Sequence, residues 1–598
     1  MSSSATGVTW DLSALFSSPT DPNIASTWEV CHRQADQFAT DYRGKVANLD
    51  AAGLAQALKD LEQISNESSK PITYANLLFA GNTSDPKLGA FLQKQTENSS
   101  ALSIKMMFFE LELQQVPQES ITNLLENPLL AEYRHYIEKV RIYTPYSLDE
   151  VREVLLEETA NVGIRAWQRL HDEVTANHIF HYTDPETQET TELSQEEVLD
   201  KLRDPSRAVR QAAADSFTAG LKEMERVIAF TYNTILADKK LDDRLRGLEY
   251  PERSRHLANE LDKETVDLVM QLCRESSNVV ARYYNAKRSI LGLPELTHID
   301  RYAPLFESKE EISYSEAKEI ILKSFGEFHP EIQSRAKEFF EKNWIDAETR
   351  AGKTGGAFCS YNTPDTHPVI LMSYMDKLTD VGTLAHELGH GVHASLSRKQ
   401  NLYNFHGTLP LAELASIFGE ILVFEDLVKS ASTEDALALY ADKLEGIFAS
   451  VHRQSAMFRF EQRCHTHRRE QNELSPEDFH TYWQEELQAM FGDGVTLGDQ
   501  HKHWWLYVGH FFFAPFYVYA YSFGELLTLA LYEKAKTEGP DFANKYVDVL
   551  ERGGGETPHE LMAHLGVDLK SPEFWRGGFA VIDRMVGEFE TLWSKHNS

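Results

Sequence analysis

Between Thr379 and Ser395 the chain reads TDVGTLAHELGHGVHAS, and few stretches leave a fold less freedom. His386, Glu387 and His390 form the H-E-x-x-H pattern. On a helix this spacing puts two imidazoles on one face, where they can bind zinc, and leaves the glutamate as a general base. At about 100° per residue, Val381, Leu384, Ala385, Leu388 and Val392 make an apolar stripe, while His386, His390 and His393 share nearly the opposite face. The pattern predicts a helix buried on one side with its histidines turned to a cavity. Thr379 or Asp380 is placed to cap it. Gly382 and Gly389 each weaken a helix by about 1 kcal/mol relative to alanine, so both are expected where a neighbouring element comes close.

A catalytic zinc takes three protein ligands and keeps one position open, so a third ligand must come from another element. Pro410 to Leu427, PLAELASIFGEILVFEDL, reads as one helix with proline in its first turn. Glu413, Ser416 and Glu420 fall on one side of it and apolar residues on the other. Glu413, on the first turn, is the best candidate for the third position, with Glu420 and Glu425 in competition; of the acids left over, Glu420 suits an outer role, holding an imidazole from behind. His393 is assigned such a supporting position. Just upstream, GGAFCSY, a turn at Asn362 to Thr366 and VILMSY predict a β-hairpin. Its edge, at Gly356, Ala357 and Phe358, either pairs with an extended peptide substrate through main-chain hydrogen bonds or is purely structural.

The rest of the chain is read as mainly α. Ile24 to Lys139 keeps a helical rhythm, with breaks expected at Asp50, Ser68 to Pro71, Thr83 to Pro86 and near Pro117. A leader over residues 8–20 is expected to pack through Trp10, Leu12 and Phe16. Asn177 to Glu192 predicts a small hairpin, and Leu193 to Phe217 two short helices parted by Asp204-Pro205. With 598 residues the chain is long enough for several cores. A boundary is placed near residue 200, giving an N-terminal helical region over 1–200 and a catalytic region over 201–598. The net charge of -33 opposes nucleic-acid or anionic-membrane partners, since phosphate contacts need clustered Lys and Arg. No apolar run reaches the roughly 18 residues of a membrane span, and the N-terminus lacks the pattern of a secretory signal. Cys31, Cys273, Cys359 and Cys464 lie far apart and read as reduced thiols, which suits a cytoplasmic setting.

GAFC, HPVILMSY, DVGTLAHELGHGVH and AELAS, in this order, resemble the thimet oligopeptidase and oligoendopeptidase F family of zinc metallopeptidases, in its oligoendopeptidase F-like branch. The leader WDLSALF, HFFFAPFYVYAYSFGE and GGGETPHELMAHLGVDL extend the resemblance over nearly the whole chain. It implies one zinc ion per chain held by His386, His390 and Glu413, with Ser416 beside Glu413 and Glu387 as the base. It implies that His510 contacts the substrate and that tyrosines among Tyr517, Tyr519 and Tyr521 stabilise the tetrahedral intermediate. Tyr517 and Tyr521 are favoured, since four-residue spacing puts them on one helical face. The implied fold is a zincin-like helical ellipsoid with a deep channel and a small sheet beside the active-site helix. Such a channel admits short, unstructured oligopeptides, and Gly553 to Gly555 is implied to be a flexible loop near it. Whether the protein is a monomer or a homodimer stays open. Two other readings also stay open: a zinc carboxypeptidase, with Arg453, Arg459 or Arg463 binding a free carboxylate, and a catalytically silent peptide binder.

Overall fold

Apolar residues recurring every three to four positions become helices along most of the chain, and among the described residues the strands form two small sheets. The computed structural model describes residues 3–306 and 311–597. The chain forms two compact units, each built from three separated stretches: 1–144, 310–430 and 531–568 in one, 145–309, 431–530 and 569–598 in the other. The boundary expected near residue 200 falls within the second unit. Compactness here follows packing between stretches remote in sequence, which local pattern does not report.

In the first unit, helices Pro22–Tyr42, Ala51–Gly81 and Pro86–Met106 pack against one another. Asp21, Asp50 and Asp85 cap them by accepting from backbone amides, satisfying donors that the first turn leaves open. The breaks at Thr83 to Pro86 and Pro117 are present. The one at Ser68 to Pro71 is not: helix Ala51–Gly81 runs through Pro71. Leu61 and Ile64 before the proline and Tyr74, Ala75 and Leu77 after it stay buried, and this continuous packed face outweighs one missing N–H. In the leader Leu12 and Phe16 are buried, and Trp10 sits 6.4 Å from the Phe358 ring.

The expected hairpin is present, as strand Phe358–Ser360 antiparallel to Val369–Leu371 with Phe358 opposite Leu371. A two-residue strand, Ile345–Asp346, joins the other side of Val369–Leu371 in parallel, too short to leave a sequence signal. Arg350 and Lys353 hold the buried Asp346 carboxylate at 2.7 and 2.8 Å. Phe358–Ser360 is thus an edge strand, and it packs on helix Leu378–Ser397. Gly553 to Gly555 is packed rather than open: the Gly554 amide donates to the Asn404 carbonyl at 2.7 Å, and a side chain on Gly554 would collide with the His406 carbonyl.

The second unit is organised on helix Arg207–Arg246, 40 residues long. Asp204-Pro205 separates it from Gln195–Lys201 as expected, but it continues far beyond the short helix read from sequence. It packs against the hairpin Phe180–Thr183/Thr190–Leu193, helix Gln454–Glu470 and the 3₁₀ segment Asp499–Tyr507. Phe180 and Tyr182 face inward there, while Ile179 is exposed. Among the described residues no helix is long and apolar enough to cross a membrane, and all four cysteines are free thiols.

Candidate metal centre

Helix Leu378–Ser397 begins ahead of Thr379. Asp380 closes its start from inside the first turn, accepting from the amides of Met375 at 2.7 Å and Lys377 at 3.1 Å. The five stripe residues are fully buried, while His386 and His390 keep 28% and 17% of their side chains open. At Gly389 the helix meets Leu414–Ser430: a Cβ there would lie 2.5 Å from Ser416 Cα and collide with the Ala415 carbonyl. Close approach therefore requires this glycine. It does not explain Gly382, whose added Cβ would meet open space, whereas Gly391, unremarked in the sequence, is pressed by the Phe339 ring.

The helix read as Pro410 to Leu427 is two, Leu409–Ala412 and Leu414–Ser430, with Glu413 at the junction. The contact at Gly389 holds Ala415 and Ser416 against the histidine helix, and Tyr546 donates to the Leu414 carbonyl at 2.6 Å. Glu413 is thereby turned to the histidines. Its Oε2 lies 3.3 Å from His386 Nε2 and 3.5 Å from His390 Nε2, and one donor atom from each residue falls within 4.8 Å of the others. Ligands about 2.0–2.1 Å from a tetrahedral ion stand roughly 3.3–3.4 Å apart, so donor types and spacing both fit a zinc-sized ion.

The three competing acids separate cleanly. Glu413 joins the histidines; Glu420 Oε2 sits 3.2 Å from His386 Nδ1, behind the ring; Glu425 pairs with Lys536. Ser416 Oγ donates to Glu413 Oε2 at 2.6 Å. Burial disfavours a charge on His386, but the Glu420 hydrogen bond and the charges of Glu420, Glu413 and Glu387 outweigh it and raise the ring to about 9. Burial and the nearby His386 push His390 down, since two rings 5.0 Å apart do not both take a proton readily. Glu387 is buried with Oε2 unpartnered. Burial first, then Glu413, push it up to about 7 against the pull of His386. A buried carboxyl beside a triad of metal-capable donors is suited to carry protons.

His393 is buried, its Nδ1 without a partner, and burial takes it down to about 3. Tyr361, just beyond the edge strand, was missed. Its ring lies 6.5 Å from His390, 6.2 Å from His393 and stacks on His406 at 4.7 Å, so Tyr361 and His406 wall the centre. Its position after AFCS at the strand's end was the available signal. Gly356 adopts φ +78° with open space where a side chain would be; it and Ala357 lead into the strand Phe358–Ser360 without belonging to it.

In the second unit His510, Tyr517 and Tyr521 form a triangle, with His510 6.0 Å from each tyrosine and the tyrosines 5.3 Å apart. All three are part-exposed. Tyr519 faces the core, fully buried, its hydroxyl accepting from Asn259 at 2.8 Å. Tyr517 lies in the turn ahead of helix Tyr519–Glu538, so it meets Tyr521 across a bend and not along one helical face as the spacing predicted; both stay part-exposed while Tyr519 is buried. The second unit also holds another group of metal-capable donors, Glu225, His480 and His503. Glu225 Oε1 there lies 2.8 Å from His480 Nε2 and 2.7 Å from His503 Nδ1.

The family model for peptidase family M3 matches residues 201–581, and that for oligopeptidase F residues 112–180. The chain belongs to peptidase family M3. This M3 chain is 26% identical to the group B oligopeptidase PepB of Streptococcus agalactiae over 98% of both chains. It is 25% identical to the oligopeptidase PepF of Bacillus subtilis over 98% of this chain and 87% of the relative. A crystal structure from Chlamydophila abortus superposes on it with TM-score 0.87 at 22% identity, covering 99% of this chain and all of the other. Oligoendopeptidase F from Enterococcus faecium gives TM-score 0.73 at 20% identity over 96% and 99% of the two chains. These two establish the mainly α fold. As an M3 peptidase of the oligoendopeptidase F kind, the chain is a metalloendopeptidase that hydrolyses oligopeptides.

Proposed function

We propose that His386, His390 and Glu413 hold one zinc ion per chain and that Glu387 is the general base of peptide hydrolysis. The observation that carries this reading is the spacing of Glu413 Oε2 from the two imidazoles, 3.3 and 3.5 Å, close to the edge of a tetrahedron around a zinc-sized ion, next to a buried, unpartnered Glu387 oxygen. Two imidazoles and a carboxylate suit zinc among the divalent ions, with cobalt or manganese able to replace it in vitro. Glu420 orients His386, and Ser416 orients Glu413. When bound, the ion supplies Lewis acidity that stabilises charge developing on the scissile carbonyl.

Glu387 accepts a proton as water attacks the peptide carbonyl and returns it to the leaving amine. His510, Tyr517 and Tyr521 contact the substrate, hydroxyl and imidazole N–H groups being suited to stabilise an oxyanion. The free edge of Phe358–Ser360, approached through Gly356 and Ala357, pairs with the substrate main chain, which accounts for acceptance of many sequences. His393 supports the wall of the centre through Tyr361. Four unpaired thiols fit a cytoplasmic location.

A carboxypeptidase reading lacks a ready carboxylate anchor: Arg453 is engaged by Tyr507, Arg459 by Glu486, and Arg463 by Glu485 and Glu486. A silent binder has no use for Glu387. The test is a quenched fluorogenic peptide, with and without a blocked C-terminus, given to the protein and to Glu387→Gln with metal content measured on both. Internal cleavage of both peptides by the parent, and neither by the metal-loaded variant, is expected. Stepwise release of end residues from unblocked peptides alone would overturn the endopeptidase reading, and equal activity of the variant would remove Glu387 from the mechanism.

A further inference from the structure

Between the short helix His510–Phe513 and the helix starting at Tyr519 the chain makes a sharp turn through Ala514, Pro515 and Phe516. Phe516 takes φ +59°, the left-handed region that a bulky side chain seldom occupies. Such a conformation persists only where the surroundings over-determine it. Its ring is fully buried, 4.6 Å from the His465 ring and 5.8 Å from Phe458. Its amide donates to Glu461 Oε1 at 3.0 Å. One residue earlier, Arg255 Nε donates to the Pro515 carbonyl at 3.3 Å, and its guanidinium lies 5.7 Å over the Tyr517 ring.

Glu461 is completely buried and its Oε2 has no partner. Burial pushes its carboxyl up to about 8, against the Phe516 amide and the Arg255 charge. A solvent-excluded carboxyl with one hydrogen bond is costly to keep, and the bond it makes is to the strained residue. The turn it holds separates His510 from Tyr517 and Tyr521, so its shape sets their mutual spacing.

We infer that Glu461, with Arg255, is a positioning residue: it locks the Phe516 turn and thereby fixes the His510–Tyr517–Tyr521 triangle in its working geometry. This rests on the reading that the triangle contacts the substrate. Glu461→Leu removes the acceptor, and Glu461→Gln keeps a carbonyl oxygen for the Phe516 amide without a charge. The full-length metal-loaded protein is assayed for kcat and KM on a fluorogenic peptide, alone and in a His510→Ala background.

Glu461→Leu is expected to lower kcat at least tenfold with KM changed less than threefold and metal content unchanged. Glu461→Gln is expected to stay within threefold of the parent. In the His510→Ala background, Glu461→Leu should cost under threefold, because it acts through a triangle already broken; a purely structural loss would be the same in both backgrounds. If Glu461→Leu does not fold, Arg255→Met takes its place with the same expectations. A near-parental kcat in the leucine variant while His510→Ala is impaired, or equal losses in both backgrounds, overturns the inference alone. A parental kcat in His510→Ala overturns the substrate-contact reading and this inference with it.

Discussion

In one compact unit His386 and His390 face Glu413 across 3.3 and 3.5 Å; in the other His480 and His503 face Glu225 across 2.8 and 2.7 Å. The donor types are identical, and in each group the imidazoles meet edge to face. The first spacing matches the edge of a tetrahedron around a zinc-sized ion. The second is that of an imidazole N–H donating directly to a carboxylate, with both rings sharing one oxygen. Surroundings differ in the same sense. Glu420 and Ser416 orient the first group and Glu387 stands beside it, whereas His480 Nδ1 has no hydrogen-bond partner, its nearest acid being Glu477 at 3.6 Å. Three metal-capable residues close together are therefore not by themselves a metal centre; half an ångström or more separates a spacing that fits an ion from a direct hydrogen bond.

The largest effect that tests this contrast is loss of a ligand. Glu413→Ala should purify without metal and without peptidase activity, as should the parent after chelation, which zinc should then restore. Full metal content in the variant would break the assignment. Next is Glu387→Gln, expected to keep the ion while turnover falls on the order of 10²–10⁴-fold. Glu420→Gln should weaken metal affinity about 10–100-fold, as for partners that orient a ligand, read by competition with a chelator. The smallest effect belongs to the other group. Glu225→Ala should leave one metal per chain and normal turnover but lower stability by about 1–3 kcal/mol, from buried imidazole donors left unpaired. Two metals per chain in the parent, falling to one in this variant, would erase the distinction.

Much of the first centre was legible because its geometry is local. His386 and His390 lie one helical turn apart, so 3.6-residue periodicity alone aligns them, and the buried stripe from Val381 to Val392 was read the same way. Tyr517 stands ahead of the helix that begins at Tyr519, so the bend at Phe516, and not the helical count, brings it to Tyr521. Where a neighbour decides, the reading stopped. Pro71 carries the signature of a break, yet a helix continues through it because both flanks are packed. Gly382 and Gly389 look alike in sequence, and only Gly389 has another helix against it. Phe516 gives no sign of a left-handed turn, since what holds it comes from Glu461 and Arg255, 55 and more residues away.

The sequence by itself determined the helical class, the paired imidazoles with their adjacent glutamate, and the edge hairpin before them, because each depends on residues a few positions apart. Only the tertiary structure decided which acid meets the histidines. Glu413 was favoured by its place in the first turn, but Glu420 and Glu425 are of the same type and stayed in competition; in the structure Glu413 meets the histidines, Glu420 stands behind His386 and Glu425 pairs with Lys536. The physical reason is range: a helix repeats every few ångströms along its own chain, whereas the meeting of Glu413 with His386 and His390 depends on where a second helix packs on the first.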